Sequence, residues 1–176
     1  MAQICRRQTA AKGNFAQKGM VIIMEKSKLS LAAYLRRPPQ ARAAMEGNGV
    51  HGTVEFYQTP YGVLVLAEIY GLPKGSPDQS PVFGFHIHEG KYSAPPHTPS
   101  HGGHYNPYHT PHPYHAGDLP PLFGADGCAF SLTLTSRFSV EEVTGRTCVI
   151  HSGTDDFTTQ PSGNAGKILA TGEIVK

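Results

Sequence analysis

A long segment without hydrophobic periodicity, from Glu89 to Phe123, interrupts the middle of this chain. It consists mainly of Gly, Pro, His and Tyr, and therefore predicts neither a helix nor a strand. A structureless loop of this length is unusual inside a compact domain unless it has a function. The rest of the chain must therefore form a framework that holds the loop, and something must organise the loop itself.

Short runs of alternating apolar and polar residues flank the loop and predict that framework. Because 20 Gly and 15 Pro separate these runs, turns should be frequent and helices few. We predict seven or eight strands in an all-β two-sheet sandwich or flattened barrel. The predicted strands are ARAAM, GTVEFYQ, GVLVLAEIYGL, VFGFHIH at 82–88, CAFSLTLT at 128–135, RTCVIH at 146–151 and KILATGEIV at 167–175.

The start of the chain differs in charge from the remainder. Residues 1–45 contain nine Lys or Arg and one acid, a net charge of +8, whereas residues 46–176 contain six bases and twelve acids, a net charge of −6. Ser30 and the following LAAYLRR predict a short capped helix that ends before Pro38. We therefore divide the chain into a basic tail or short helix at 1–40 and a β-domain at 41–176.

Composition also excludes several classes of protein. The chain has no run of about 18 apolar residues, so we expect a soluble domain without a membrane-spanning helix. The basic tail mixes Ala, Gln and Gly among its charges and has no motif that reads a nucleic-acid groove. We therefore predict no nucleic-acid partner and no membrane partner.

Two signals bear on the cellular compartment. The apolar run MVIIM at 20–24 is too short for a secretory signal, and three cysteines leave at least one unpaired in a monomer, which favours a reducing compartment. We predict a cytoplasmic protein, with export as the alternative if the start site is misassigned. Cys128 and Cys148 lie in predicted strands, where we expect both thiols to be buried.

The first pair of candidate metal ligands lies on a predicted strand. His86 and His88 are two residues apart, so the twofold repeat of a strand places both imidazoles on one face, within reach of one ion. The alternative is a pair of exposed polar residues that alternate with a buried apolar face. The neighbouring loop decides between these interpretations.

Histidine is unusually abundant in that loop. Three imidazoles and one carboxylate are enough to form a closed tetrahedral zinc site, and such a site would order the loop. The alternative is a generic histidine-rich tract that binds metal without a defined centre. The candidates are His97, His101, His104, His109, His112, His115 and Asp118.

A further imidazole and carboxylate occur close together near the C-terminus. His151 ends the predicted strand RTCVIH, and Asp155 follows after a short turn. Histidines that bind metals usually donate their second ring N–H to a carboxylate or carbonyl, so Asp155 suits that orienting role. A structural histidine with a nearby acid is the alternative.

Taken together, these motifs resemble those of the copper/zinc superoxide dismutase family. The motifs GFHIH, GGHYNP, HAGDLP, VIHSGTDD and GNAG followed by LATG occur in the order that the family shows, over roughly 41–176. DLPPLFGADG and DFTTQP are most similar to bacterial members. The resemblance implies a Greek-key β-sandwich of about eight antiparallel strands with long metal-binding loops. The segment before about residue 40 has no counterpart.

The resemblance also implies a set of metal ligands. Copper would be held by His86, His88 and His151, with His104 bridging copper and zinc. Zinc would also take His115, Asp118 and a third histidine, for which we choose His112 over His109. Asp155 matches the carboxylate that links the copper and zinc ligands. His51, His97 and His101 are interpreted as bystanders.

Two positions depart from the family pattern. The arginine that attracts and orients superoxide in the family is Ile168 here, and the adjacent Lys167 can replace its charge only if the strand shifts or bulges. The family disulfide is absent, because Thr171 stands at one cysteine position and no Cys occurs between Glu89 and His104. We expect metal ligation to hold the loop instead.

The predicted function is superoxide disproportionation by copper redox cycling. His104 and Lys167 are the predicted catalytic residues: the resemblance implies that His104 releases copper and takes a proton during the cycle, while zinc is structural. One alternative is a non-catalytic copper- or zinc-binding module. Another is an adaptor that acts through its basic tail, with the β-domain as a scaffold. The predicted substrate is superoxide, and either a monomer or a homodimer is compatible with the sequence.

Overall fold

The computed structural model describes residues 30–76, 81–91 and 101–176, and the chain divides into two units between Arg37 and Pro38. In the first unit the described residues form one helix, α1 (Leu31–Leu35). Ser30 occupies the N-cap position, as predicted, but its side chain accepts no capping hydrogen bond. Among the described residues, no helix combines the length and apolar character that crossing a membrane requires.

The regular elements of the second unit are almost all strands. Among its described residues there are nine strands and one short helix. In chain order these are β1 (Ala41–Gly47), β2 (Val50–Thr59), β3 (Gly62–Tyr70), β4 (Val82–Phe83), β5 (Phe85–Lys91), β6 (Leu122–Phe123), β7 (Cys128–Thr135), α2 (Val140–Val143), β8 (Arg146–His151) and β9 (Ile168–Val175).

Seven strands form one antiparallel sheet in the order β5-β8-β9-β1-β2-β3-β7, and β4 pairs with β6 separately. The long sheet curls around an apolar core, to which β1 contributes by strict alternation: Ala41, Ala43 and Met45 are buried while the residues between them are exposed. The all-β prediction is therefore confirmed. The sheet brings β5 and β8 side by side, and these two strands carry histidines.

The predicted strand at 82–88 is wrong in one respect, because the structure breaks it at Gly84. The backbone N–H of Gly84 donates to Gly153 O at 2.8 Å, and its carbonyl accepts from His151 N at 2.8 Å. A Cβ on Gly84 would lie 2.8 Å from the Cβ of Ala165, so only glycine allows this approach. The break sends β4 to pair with β6 and starts β5 beside β8.

The long central loop covers the free edge of β5. Residue Ile87 donates its N–H to Gly117 O at 2.9 Å and accepts from Tyr105 N at 2.8 Å. Further along, Glu89 donates to Gly103 O at 2.9 Å. These bonds satisfy strand-edge groups that would otherwise be unpaired. They also place Gly103, Tyr105 and Gly117 directly against the strand that carries His86 and His88.

Three further expectations need correction. The loop is not wholly without elements, since β6 lies at its end. Helix α2 was not predicted, although Ser139 and Glu142 form a capping box, a sequence pattern that indicates the start of a helix. Cys148 is buried as expected, but Cys128 is exposed because its position on β7 faces outward. Cys5 lies outside the described residues.

Candidate metal centre

Two neighbouring strands and the loop that covers them bring the candidate ligands together. On β5, His86 and His88 alternate with Phe85 and Ile87, which face the core. Isolated bridges pair His88 with His104 and His86 with Asp118 across the strand edge. His151, at the end of β8, is the last histidine of this region. The side chains of all five candidate ligands are buried.

The first group of ligand atoms, called group 1, comprises one atom each from His86, His88, His104 and His151, all within 4.8 Å of one another. His88 donates its Nδ1–H to Gly102 O at 3.1 Å, and His151 donates its Nδ1–H to Gly166 O at 3.3 Å. The Nε2 atoms of the two neutral rings therefore carry lone pairs, and they face each other at 3.3 Å. Such an arrangement calls for a cation between them.

The second group, called group 2, comprises one atom each from His104, His112, His115 and Asp118, again within 4.8 Å of one another. One carboxylate oxygen of Asp118 lies 2.6 Å from His104 Nδ1. The other lies 3.1 Å from His112 Nδ1 and 3.3 Å from His115 Nδ1. His104 is a member of both groups, because each of its ring nitrogens is available to a different one.

A single buried carboxylate connects the two groups. Asp155 accepts hydrogen bonds from His86 Nε2 at 2.7 Å and from His112 Nε2 at 2.8 Å. These bonds place the ring protons on Nε2 and leave a lone pair on Nδ1 of both histidines. His112 Nδ1 and the Asp118 carboxylate oxygen 3.1 Å away are then both hydrogen-bond acceptors, with no proton between them. This nitrogen therefore has no hydrogen-bond partner.

The unpartnered nitrogens provide a test of whether metal ions fit. Buried ring nitrogens without a hydrogen-bond partner include His86 Nδ1, His104 Nε2 and His112 Nδ1, which all belong to these groups. Buried polar atoms are rarely left unsatisfied without a reason. Four imidazoles in group 1 and three imidazoles with a carboxylate in group 2 are donor sets that suit copper and zinc. The residues therefore fit the two metals.

Burial keeps the imidazoles of His86, His88 and His151 in the neutral form that binds metals. Desolvation, followed by the like charges of His104 and His151, lowers the pKa of His86 to about 2 and that of His88 to about 3. Burial also lowers the pKa of His151. Burial alone would raise the pKa of Asp118, but the hydrogen bond and charge of His104 bring it below its usual value. The lone pairs are thus available at neutral pH.

The remaining histidines are distributed differently. His109 is exposed and lies outside both groups, so the structure places His112 in group 2 instead. His51 is exposed and stacks on Tyr70, and His97 lies outside the described residues. His101 was interpreted as a bystander, yet it is buried edge-on against His88, with neither ring nitrogen hydrogen-bonded.

A cavity of about 330 Å³ opens beside group 1. Its walls include His88, Glu89, His104, His109 and His151. Within the described part of the chain, no Lys or Arg side chain lines this cavity. Any positive charge that acts on an anion here must therefore come from outside the cavity walls.

Lys167 does not line the cavity, but the backbone beside it is irregular. Ile150 pairs with Ala170 whereas His151 pairs with Ile168, so β9 contains an extra residue at this point. The side chain of Lys167 is exposed, while its backbone exchanges hydrogen bonds with Ser152 at 3.0 and 2.7 Å. β9 therefore contains the kind of bulge that Lys167 would need to approach the site, and the bulge lies at the end of β9 that pairs with His151.

Two residues that position the loop were missed at the level of sequence. Gln160 accepts a hydrogen bond from the backbone N–H of His112 at 3.0 Å and donates to its carbonyl at 2.8 Å. Arg137 donates to three carbonyl groups of the segment 113–118. No spacing or motif signals either contact, because both partners are distant in sequence.

Comparisons with known proteins agree with this arrangement. The family model described as copper/zinc superoxide dismutase (SODC) matches residues 50–174. Superoxide dismutase (Cu-Zn) 2 from Aquifex aeolicus is 33% identical over 170 residues, which cover 86% of this chain and 96% of that protein. The superoxide dismutase-like protein YojM from Bacillus subtilis is 36% identical over 107 residues, covering 52% of this chain and 55% of that protein.

A solved structure shows the same fold. A crystal structure of the clock protein EA4 superposes with a TM-score of 0.67 at 30% sequence identity, covering 78% of this chain and 94% of that one. Together with the antiparallel sheet, the fold and family matches confirm the predicted all-β Greek-key sandwich or flattened barrel.

Proposed function

The chain belongs to the copper/zinc superoxide dismutase family, and from that premise we propose that it is an oxidoreductase that disproportionates superoxide to oxygen and hydrogen peroxide. One observation carries the proposal: two groups of ligand atoms share His104 and are linked by Asp155. A histidine-rich tract without a defined centre would not bury and orient seven ligands in this way.

We assign copper to group 1 and zinc to group 2. Four imidazoles without a carboxylate, from His86, His88, His104 and His151, suit copper, whereas Asp118 with three imidazoles suits a closed zinc site. Copper, when bound, supplies one-electron redox chemistry, and zinc supplies structure and positive charge. The remaining ligands of zinc are His112 and His115.

The protein itself contributes orientation and a place for a proton. Asp155 fixes the rings of His86 and His112 through its two oxygens. Nε2 of His104 is buried without a hydrogen-bond partner, so it is an atom on which a proton can be held during the reaction. The cavity beside His88 and His151 is large enough for a small anion and its water.

For Lys167 we propose a role in attracting the anion. The bulge in β9 and the exposure of this side chain support that role. The adjacent Gly166 accepts the Nδ1–H of His151, so Lys167 follows directly after a residue that contacts group 1. Because Lys167 does not line the cavity, it acts through its charge and not through contact with the substrate.

A second candidate function is non-catalytic binding of copper or zinc. The observation in its favour is the cavity wall, where the described residues include neither Lys nor Arg. The predicted alignment of Ile168 with the family arginine supports it further. Such a protein would hold both ions without turning over superoxide at a useful rate.

Superoxide consumption separates the two candidates. The purified full chain, loaded with copper and zinc, is compared with His151→Ala and with His51→Ala, a control in which an exposed histidine outside both groups is removed. We expect His151→Ala to fall to the level of protein without copper, and His51→Ala to keep the activity of the unmodified chain. Equal activity in all three proteins would contradict the enzymatic proposal.

A further inference from the structure

We propose that Arg137 is a positioning residue for group 2. Its side chain fixes the backbone of the zinc ligands and does not itself bind the metal. This inference rests on the assignment of zinc to group 2. It concerns a residue that neither touches a ligand atom nor lines the cavity beside group 1.

The contacts converge on one nitrogen of the guanidinium group. Nη1 of Arg137 donates to the carbonyl oxygens of Pro113 at 3.0 Å, His115 at 3.3 Å and Asp118 at 3.1 Å. These oxygens belong to two ligands and to the residue that follows a third, His112. The three ligands unique to group 2 are therefore tied to one side chain through their backbone.

The sheet and the core determine where this arginine stands. Strand β7 ends at Thr135, whose Oγ1 accepts the backbone N–H of Arg137 at 3.2 Å. The next residue, Phe138, is buried in the apolar core. Arg137 thus lies between the end of β7 and a core residue, and its side chain contacts a loop that has little secondary structure of its own.

The chemistry of arginine suits this position better than that of lysine. A guanidinium is planar, permanently charged and fixed in its donor directions. The two N–H groups of Nη1 point along those directions and serve three carbonyl oxygens, so one N–H is shared between two of them. The His115 carbonyl also accepts the backbone N–H of Asp118 at 3.3 Å, which closes a tight turn between two ligands. Arg137 therefore stabilises a turn whose shape sets the spacing of those ligands.

Other restraints also act on group 2. Gln160 bonds the backbone of His112, Asp155 bonds the rings of His86 and His112, and Gly117 bonds the backbone of Ile87 and Tyr105. None of these contacts reaches the carbonyls that Arg137 binds, and no described disulfide crosses this region. Group 1, in contrast, takes His86, His88 and His151 from paired strands. Loss of Arg137 should therefore weaken metal binding at group 2 and leave group 1 nearly unchanged.

The test measures the metal affinity of each group separately in the full chain. Zinc affinity is determined by competition with a chelating dye, copper affinity by competition with a second chelator, and ligand geometry by the visible absorption of Co²⁺ in group 2. The variants are Arg137→Met and Arg137→Lys. The matched control is Arg42→Met, which removes an exposed arginine from β1.

We expect Arg137→Met to lower zinc affinity about 10- to 100-fold, the range typical of residues that orient metal ligands, and Arg137→Lys to lower it by less. The Co²⁺ spectrum should change in the same order, while copper affinity and the Arg42→Met protein stay as in the unmodified chain. A role confined to general stability would lower both affinities together. If Arg137→Met does not fold, Arg137→Lys decides the question.

Zinc affinity and a Co²⁺ spectrum that are unchanged in both Arg137 variants would overturn this inference, as would a higher affinity. If the unmodified chain binds neither zinc nor Co²⁺ at group 2, the assignment of zinc fails and the inference fails with it. The two failures are thus distinguished by the behaviour of the unmodified protein.

Discussion

At the scale of single residues, Asp155 depends on a neighbour that has no side chain. Gly163 has a φ of +66°, and a Cβ placed on it would lie 2.0 Å from Asp155 Oδ1 and 2.7 Å from His112 Nε2. The carboxylate that links the two groups can take its position only because this space is empty. Glycine is required here both by the backbone conformation and by the approach of Asp155.

Gly163→Ala should therefore destabilise the protein beyond the strain of a left-handed alanine. The added methyl group displaces Asp155, and the loss of its charged hydrogen bonds should lower the free energy of unfolding by about 2 kcal/mol or more. Gly145→Ala is the matched control, since Gly145 has a φ of +83° and open space around its Cβ position. Urea unfolding of both metal-free variants provides the measurement, and equal losses would contradict the prediction.

The buried imidazoles of group 1 predict how the stability of the metal-free protein depends on pH. In the folded state the pKa of His86 is about 2 and that of His88 about 3, whereas in the unfolded chain both return to about 6.5. As the pH falls below about 6.5, the unfolded state binds protons that the folded state does not. Stability should therefore decrease steadily from about pH 6.5 towards pH 3.

Urea midpoints of the chelator-treated protein between pH 7 and pH 4 measure this slope. His88→Gln removes one of the two imidazoles with a lowered pKa and should flatten the dependence of the midpoint on pH. His51→Gln, at an exposed position outside group 1 and group 2, should leave that dependence unchanged. A midpoint that stays constant or rises on acidification would show that the imidazoles are not held neutral by the fold.

At the scale of elements, the loop that covers β5 receives support both from protein contacts and from ligands. Backbone hydrogen bonds join Tyr105 and Gly117 to Ile87, and Gln160 and Arg137 hold the part that contains His112 and its neighbours. Metals add a further restraint, because metal binding energy can serve as folding energy. Protein contacts and metal ligation should therefore act together to hold this loop.

Metal removal should accordingly loosen the segment 104–118. We expect its backbone amides to exchange hydrogen faster in the chelator-treated protein than in the metal-loaded one, since all four ligands of group 2 lie in this segment and one of them, His104, also belongs to group 1. Strands β2 and β3, which carry no member of either group, serve as the internal reference. Hydrogen exchange that is equal in the two states would show that protein contacts alone hold the loop.

At the scale of the whole molecule, charge opposes the attraction of an anion. Residues 46–176 contain six bases and twelve acids, and the cavity beside group 1 has Glu89 in its wall. Long-range attraction of a charged substrate raises association rates and weakens as salt screens it. Because the motif order predicts Ile168 at the position of the family arginine, this attraction should be weak here.

We therefore predict that superoxide consumption falls only slightly as ionic strength rises. A steep fall would show that Lys167 or another base supplies the attraction. Ile168→Arg should increase both the activity and its salt dependence, because Ile168 is 38% exposed and pairs with His151. Val175→Arg adds the same charge about 23 Å further along β9, well beyond the screening length of about 8 Å at physiological salt, and should change little.

Local sequence patterns determined most of the framework and the placement of His86 beside His88, whereas the other members of group 1 were implied by the family resemblance. The twofold repeat in VFGFHIH placed His86 and His88 on one face, and that face is indeed turned towards the loop. The order of the motifs identified the family. These features are predictable because a strand's alternation and a short motif depend only on residues that are close in sequence.

Tertiary structure decided the remaining features, of which the family resemblance had implied only the choice of His112 and the link through Asp155. The break at Gly84, the inclusion of His112 and not His109 in group 2, and the bulge beside Lys167 all follow from contacts between distant segments. The same is true of the bridge at Asp155 and the carbonyl contacts of Arg137. The physical reason is common to all of them: strand register, loop position and backbone hydrogen bonds arise from pairing across the sheet, which no local pattern specifies.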